Sequence, residues 1–386
     1  MIPYGRQEIT EADIQSVVEV LNSDYLTQGP MVPKFENALS SYAGAKYCVL
    51  TNSATSALHV ACLALGVEKG DLVWTSPITF VASANCALYC GAQIDFVDID
   101  PVTYCLSVEN LEEKLILAKS NGSLPKVVIP VHLCGQSCDM KGIYRLSKEY
   151  GFKIIEDASH AIGASYKDEK VGSCRYSDIT VFSFHPVKII TSGEGGAALT
   201  NCPQLAKLLS QYRSHGITSD PSLMDITPSN EIWNYQQIRL GFNYRMTDIQ
   251  AALGLSQMNR LDDYVNRRHK IADRYNGELL DLPITLPFQN PDTRSSYHLF
   301  PIRLHLNSVD KSQKQIYREL HKAGILVNLH YIPVYLQPYY RALGFFSGLC
   351  PNAENFYHEA LSIPMFSGLT DEMQDQVIMR LKEIIK

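Results

Sequence analysis

The chain has 386 residues, of which 46% are hydrophobic and 19% charged, and its formal net charge at pH 7 is −6. This length predicts two domains, or one large and one small lobe, and the composition is typical of a globular protein. The acidic balance argues against a nucleic-acid-binding protein, because such proteins are usually basic. No apolar run approaches the roughly 20 residues of a membrane-spanning helix, and no secretory signal is visible, so we expect a cytoplasmic protein without a membrane segment.

The ten cysteines and eleven histidines do not have the spacing of a metal site or of a disulfide framework. No CxxC pair occurs, and most cysteines lie in apolar runs, as buried thiols of a reducing compartment do. No HExxH pair occurs either. We therefore predict no metal.

The first 200 residues alternate short apolar runs with helical patterns. Strands are predicted over 47–51, 71–75, 93–99, 126–131, 153–156, 179–184 and 196–200, and helices over 56–65, 81–89, 108–117 and 140–150. Strands that alternate with helices indicate βαβ units and a mostly parallel sheet covered by helices. In such sheets, ligands bind beyond the carboxyl ends of the strands.

The second half of the chain predicts a smaller lobe. A helical pattern runs from Thr247, a plausible N-cap, to about residue 280 and connects the two parts. Further predicted elements are a strand over 298–304, a helix over 312–322, a strand over 325–331 and a closing helix over 371–385, with an irregular segment over 283–291. We expect a large domain over 1–250, whose N-terminal arm (1–15) packs on the small domain, and a small α+β domain over 251–386.

Lys188 is the most informative residue, because a predicted strand leads into it and a glycine cluster follows it. Burial lowers the pKa of an amine, and a neutral amine can attack an aldehyde. Asp157 follows another strand, and a carboxylate there can keep a pyridine nitrogen protonated. Most lysines are surface charges and many such aspartates cap helices, but Asp157, Ser183 and Lys188 together, each at a strand end, indicate a pyridoxal site.

Other segments are weaker indicators. The hydroxyl-rich turn over 52–56 suits phosphate binding at a helix N-terminus, although a simple N-cap is the more common explanation for such a turn taken alone. Phe80 can stack on a flat cofactor or can be a core residue. His160 and His185 flank the two main motifs, and only that adjacency places them near a cofactor.

Taken in order, these motifs resemble the DegT-type nucleotide-sugar aminotransferases, which are fold-type I (aspartate aminotransferase-like) enzymes that use pyridoxal 5′-phosphate. The resemblance spans nearly the whole chain. It is carried by Asn52-Ser-Ala-Thr-Ser-Ala, Glu156-Asp-Ala-Ser-His, Ser183-Phe-His-Pro-Val-Lys, Gly193-Glu-Gly-Gly, Arg213-Ser-His-Gly-Ile and Gly241-Phe-Asn-Tyr-Arg-Met-Thr-Asp.

The resemblance implies a role for each matching residue. Lys188 and Asp157 would be catalytic, and the cofactor would be held by Ala54, Thr55, Phe80, Asp157, His160, Ser183, Lys188 and Asn243. Asn243 would reach the phosphate from the neighbouring subunit, so the family implies a homodimer with shared active sites. The nucleotide sugar would contact Tyr4, Asp24, Tyr25, Leu26, Thr27, Asn328, Leu329, His330 and Tyr331.

Within the family, the chain is most similar to enzymes of pseudaminic acid biosynthesis, which implies transfer of the amino group of L-glutamate to C4 of a UDP-4-keto-6-deoxy-N-acetylhexosamine. Other UDP- or dTDP-keto sugars remain alternatives. Some relatives are sugar 3-dehydratases with a histidine at the lysine position, and Lys188 argues against that reaction. A regulatory protein that uses the fold without chemistry is the remaining alternative.

Overall fold

The computed structural model describes residues 1–225 and 232–385. The strands are β1 Ile2–Pro3, β2 Tyr47–Thr51, β3 Leu72–Thr75, β4 Gln93–Phe96, β5 Val127–Ile129, β6 Lys153–Asp157, β7 Ser165–Tyr166, β8 Glu169–Lys170, β9 Ile179–Ser183, β10 Gly196–Thr200, β11 Ile217–Thr218, β12 Gln236–Gln237, β13 Ile284–Thr285, β14 Thr293–Arg294, β15 Phe300–Leu304, β16 Ile325–Leu326 and β17 Ala360–Ile363. The helices are α1 Glu11–Leu21, α2 Met31–Ala43, α3 Ala54–Ala64, α4 Ala82–Tyr89, α5 Val108–Asn121, α6 Met140–Tyr150, α7 Pro203–Arg213, α8 Asp248–Met258, α9 Leu261–Glu278, α10 Gln313–Lys322, α11 Pro338–Ala342, α12 Pro351–Glu359 and α13 Asp371–Ile385. In this described part of the chain, no helix has both the length and the apolar character needed to cross a bilayer.

The largest sheet has the strand order β2-β10-β9-β6-β5-β3-β4. Its strands run parallel except β10, which is antiparallel to both of its neighbours, β2 and β9. This confirms the predicted mostly parallel sheet. Because β2, β6 and β9 run in the same direction, the residues that follow them meet at one edge of the sheet.

Helices cover both faces of this sheet, as alternate residues of β5 show. Val127 and Ile129 pack with the cluster formed by α3 and α4, whereas Val128 packs with the cluster formed by α5 and α6. A strand that is buried on both faces is apolar throughout, since neither face meets water. The continuous apolar runs in the sequence have this origin.

The C-terminal part contains the antiparallel sheet β13-β15-β17, and α9, α10 and α13 contribute to the same apolar cluster. The N-terminal strand β1 pairs in parallel with β16, and Ile2 is buried in this cluster. Helix α9 bridges the two parts, because Val265 packs with the N-terminal core and Ile271 with the C-terminal one. The domain boundary at 250/251 stays a prediction.

The helix predicted from Thr247 to about residue 280 is interrupted in the structure. Its start is confirmed, because the Thr247 hydroxyl accepts a hydrogen bond from the Gln250 N–H. The helix breaks at residues 259–260, where Arg260 leaves helical geometry and Nη2 donates to both carboxylate oxygens of the buried Asp13 at 2.6 Å. Local periodicity cannot reveal this break, since Asp13, the residue that Arg260 contacts there, lies in α1.

Two other predicted elements differ from the structure. The strand predicted over 325–331 ends at Leu326, and the chain beyond it turns towards the large cavity described below. The irregular segment 283–291 contains the short strand β13. The helices α1, α2, α7, α11 and α12 are not predicted from the sequence. Helix α1 buries only Asp13 and Val20, so its apolar pattern is weak.

Candidate active site

A cavity of about 970 Å³ lies beyond the carboxyl ends of β2, β6 and β9. Most of the predicted site residues line it: Tyr4, Ala54, Thr55, Phe80, Asp157, His160, Ser183, Lys188, Asn328, Leu329, His330 and Tyr331. Segments from both ends of the chain and from the sheet edge therefore meet at this place, where a doubly wound sheet binds ligands.

Lys188 lies on the loop that connects β9 to β10. The loop is anchored by the next two residues, Ile189 and Ile190, which are buried in the core. It is also tied back to the sheet, because the Thr191 hydroxyl donates to the carbonyl of Phe184 at 2.9 Å. These contacts hold the partly buried lysine side chain against the cavity.

Burial lowers the pKa of the Lys188 amine from 10.5 to about 8, and the negative charge of Asp157 opposes this shift. Loss of water around the ammonium is the larger effect. A substantial fraction of the amine is consequently neutral near physiological pH. Among the described residues that line the cavity, no other lysine and no arginine is present.

Asp157 ends β6 and is 5% exposed. Its Oδ2 accepts a hydrogen bond from the Ser83 hydroxyl at 2.6 Å, and its Oδ1 accepts from the Ser159 N–H at 3.1 Å. Since Ser83 donates to the carboxylate, it accepts from the Thr79 hydroxyl at 2.7 Å. Sequence reasoning missed Ser83, which lies in α4, and Thr79, which precedes that helix, because no local pattern marks them as partners of Asp157.

The turn before α3 presents backbone N–H groups to the cavity. The Ser53 hydroxyl caps the helix by accepting from the Ser56 N–H at 3.1 Å. The N–H groups of Ala54 and Thr55 have no helical acceptors, as in the first turn of any helix. Gly196 packs so closely here that a Cβ would lie 2.5 Å from the Ala54 nitrogen. The N–H groups and the positive end of the helix suit a phosphate.

His160 and Tyr331 form a hydrogen-bonded pair on the cavity wall. The His160 Nδ1 accepts from the Cys134 N–H at 3.3 Å, so the ring proton of the neutral imidazole is on Nε2. Nε2 lies 3.2 Å from the Tyr331 hydroxyl and donates to it, which leaves the tyrosine proton available to a ligand. Burial, with smaller contributions from Lys188 and His330, holds the His160 pKa well below its ordinary value.

Phe80 is 58% exposed and lines the cavity, with its ring centroid 6.4 Å from that of Tyr331. It is therefore not a core residue, and the interpretation as a core phenylalanine is wrong. Because large aromatic rings are usually buried, an exposed ring on a ligand cavity favours a contact with the ligand over a packing role.

Five predicted residues do not line the cavity in the single chain. Residues 24–27 are exposed, and the Leu26 carbonyl accepts from the Asp248 N–H at 3.0 Å. Asn243 is also exposed, and its carbonyl lies 3.5 Å from the Asn52 amide nitrogen. Roles for Asp24, Tyr25, Leu26, Thr27 and Asn243 stay predictions.

The mostly parallel sheet and the lysine, carboxylate and N–H groups at its edge define a fold-type I pyridoxal-phosphate enzyme. A model of the DegT/DnrJ/EryC1/StrS aminotransferase family matches residues 7–382. The chain therefore belongs to this family and is an aminotransferase.

Relatives cover nearly the whole chain. The UDP-4-amino-4,6-dideoxy-N-acetyl-β-L-altrosamine transaminase of Campylobacter jejuni is 38% identical over 368 residues, which cover 94% of this chain and 92% of the relative. The Helicobacter pylori aminotransferase PseC, described as involved in the biosynthesis of pseudoaminic acid, superposes with a TM-score of 0.89 at 32% identity and covers 100% of this chain and 99% of PseC. The PLP-form of the sugar aminotransferase Spr1654 from Streptococcus pneumoniae gives 0.88 at 31% identity, over 99% and 98% of the two chains.

Pyridoxal phosphate is the cofactor of this family, and the residues of the cavity fit its chemistry. A partly neutral amine suits the cofactor aldehyde, a buried carboxylate suits the ring nitrogen, and free N–H groups at a helix N-terminus suit the phosphate. All three groups face one cavity.

Proposed function

We propose that this enzyme transfers the amino group of L-glutamate to C4 of a UDP-4-keto-6-deoxy-N-acetylhexosamine and forms UDP-4-amino-4,6-dideoxy-N-acetyl-β-L-altrosamine. The observation that carries the proposal is Lys188, with its lowered pKa, on a cavity that also contains the buried Asp157. The choice of sugar is supported by the similarity to the Campylobacter jejuni transaminase and to PseC.

In this proposal, Lys188 would hold the cofactor through its aldehyde. Once free, its amine would carry the proton from the donor carbon to the cofactor and, in the second half-reaction, from the cofactor to C4 of the sugar. The bound cofactor supplies a ring that accepts electrons, and Asp157 holds the ring nitrogen protonated. Ser83 and Ser159 keep the carboxylate in place for that task.

The remaining cofactor contacts are those that the family resemblance implies, and all of these residues except Asn243 line the cavity. Ala54 and Thr55 would bind the phosphate through N–H groups, and Ser183 through its hydroxyl. Phe80 would stack on the ring, with His160 beside it. Asn243 of the partner subunit would complete the phosphate site.

We propose a homodimer in the cytoplasm. Several exposed apolar side chains suit a subunit interface, among them Tyr25 (56% exposed), Trp233 (74%) and Leu240 (78%). All ten cysteines are free thiols within the described residues, which suits a reducing compartment.

The sugar would occupy the part of the cavity lined by Tyr4 and residues 328–331. The Tyr331 hydroxyl has its proton free for an acceptor, because His160 donates to its oxygen. Residues 24–27 would face the nucleotide sugar, as the family resemblance implies.

The test is mass spectrometry and NMR of the products formed from a panel of UDP- and dTDP-keto sugars with glutamate. We expect a 4-amino product from the UDP-4-keto-6-deoxy-N-acetylhexosamine. A 3-deoxy product would instead indicate dehydration, and amination of only a dTDP sugar would overturn the assignment of the nucleotide.

The variant Lys188→Ala should lose this turnover, because no other described cavity residue offers a lysine amine. Lys153→Ala is the matched control. Lys153 begins β6 at the end opposite Asp157 and pairs with Asp178 at 3.1 Å, so its loss should leave turnover unchanged. Normal amino transfer by Lys188→Ala would refute the proposed role.

A further inference from the structure

His298 is a cavity residue that sequence reasoning did not single out. It lies two residues before β15, is 4% exposed and lines the cavity. Its Nδ1 is closed off from water and has no hydrogen-bond partner among the residues that the structure describes. The Nε2 edge is therefore the polar part of the ring that a ligand can reach.

Positively charged or chargeable groups surround His298. Burial, followed by the charges of His160, Lys188, Arg268 and His330, holds the His298 pKa well below its ordinary value. Arg268 is buried and its Nη1 donates to the carbonyls of Tyr297, His298 and Met365 at 3.0, 3.2 and 2.8 Å. The Arg268 guanidinium is therefore bound to backbone carbonyls. Because its pKa is lowered, the His298 ring is neutral at pH 7.

The two other buried histidines of the cavity already have partners at both ring nitrogens. His160 bonds to the Cys134 N–H and to Tyr331. The His330 Nδ1 lies 2.9 Å from the Ser362 hydroxyl, and its Nε2 lies 3.4 Å from the Asn328 amide. Of these three imidazoles, His298 is the one with unused hydrogen-bonding capacity.

The chemistry of the two proposed substrates places different demands on this region. In an α-amino acid, the carboxylate is attached to the carbon that carries the amine, so it must lie close to Lys188. In the nucleotide sugar, the diphosphate is attached to C1, across the ring from C4. The groups beside Lys188 must accept an anion in one half-reaction and a neutral sugar ring in the other.

We propose that His298 binds the α-carboxylate of the amino donor through Nε2, which takes up a proton from solvent as the carboxylate enters and releases it when the sugar replaces the donor. The inference rests on the proposed function, because it takes glutamate as the donor. A neutral imidazole that gains a proton supplies a charged hydrogen bond only when an anion is present, which a guanidinium cannot do.

The test uses the holoenzyme and glutarate, a dicarboxylate with no amine to react. Calorimetry at pH 7 in buffers of different ionisation enthalpy measures the protons taken up on binding. We expect uptake of about one proton per glutarate in the wild type, since the anion raises the pKa of the ring that it contacts. Binding without proton uptake would overturn the proposal, whatever any variant does.

The variant His298→Gln keeps a neutral donor but cannot gain a charge. We expect it to lose the proton uptake and to raise the KM for glutamate at least about tenfold, since charged hydrogen bonds are the stronger ones. The half-reaction between the pyridoxamine form and the keto sugar should stay within about twofold of the wild type. Equal losses in both half-reactions would indicate a structural role and would overturn the assignment.

His269→Gln is the matched control. His269 is half-buried, its pKa is also lowered by burial, and its Nε2 lies 2.7 Å from the Ser295 carbonyl, but it does not line the cavity. This variant should keep proton uptake and KM. A wrong choice of sugar would appear in the product panel and would leave glutarate binding unchanged, so the two proposals fail separately.

Discussion

Replacing Asp157 with Asn tests the electrostatics of the site, because within the described part of the chain Asp157 is the charge that raises the pKa of Lys188. Burial lowers this pKa from 10.5 to about 8, against the effect of Asp157. At pH 7 an amine with a pKa of about 8 is neutral in roughly a tenth of molecules, whereas one with a pKa of 10.5 is neutral in roughly one molecule in 3,000. The site therefore increases the reactive amine about 300-fold.

Without the carboxylate, burial alone acts on the ammonium, so the Lys188 pKa in Asp157→Asn should fall below the wild-type value. The assay is competitive labelling of Lys188 in the apoenzyme with an amine-specific reagent, followed by mass spectrometry of the peptide that contains Lys188. Labelling is measured over about four pH units, from about pH 6 to 10, around the expected midpoint. The midpoint of labelling should move to lower pH. Asp95→Asn, which removes the partner of Lys114 at 2.7 Å, should leave the midpoint unchanged. A midpoint that stays the same or rises in Asp157→Asn would refute the electrostatic reasoning.

Two further substitutions test the contacts that support the site and the fold. Ser83→Ala removes the 2.6 Å hydrogen bond to Asp157. Hydrogen bonds to charged groups contribute about 1.5–3 kcal/mol, so the Kd for pyridoxal phosphate, measured by absorbance titration, should rise about tenfold or more. An unchanged Kd would contradict this role of Ser83. Asp13→Ala removes a fully buried carboxylate and leaves Arg260 without its ion-pair partner. The free energy of unfolding, measured in urea, should fall by about 3–5 kcal/mol. A loss below about 1 kcal/mol, which is typical of an exposed ion pair, would contradict the importance of this ion pair for stability.

The central sheet and the main site residues could be predicted because local pattern determines both. Strands buried on both faces leave continuous apolar runs, as in Val127–Ile129. Once the strands are known to be parallel, Asp157 and Lys188 must lie at the same edge, since each follows the end of a strand. Position relative to the strands therefore predicted that both residues line one cavity, as they do in the structure.

The supporting residues could not be predicted, because their roles depend on contacts between distant parts of the chain. Ser83 donates to a carboxylate 74 positions away, and Arg260, at the break between α8 and α9, donates to Asp13, 247 positions upstream. His298 has no pattern in its neighbourhood that separates it from any histidine at the start of a strand. Such residues become visible only when the fold brings their partners together.

The charges of the cavity explain why proton uptake matters for the proposed reaction. Among the described residues that line the cavity, the charged side chains are Asp157, Lys188 and Glu194. The histidines are neutral where burial lowers their pKa, as in His160 and His298. A cavity with two carboxylates and one amine already lacks positive charge before a dicarboxylate or a phosphate enters. The phosphate can be balanced by helix N–H groups. The α-carboxylate of the donor would lie beside Lys188, where the proposed proton uptake by His298 would supply positive charge.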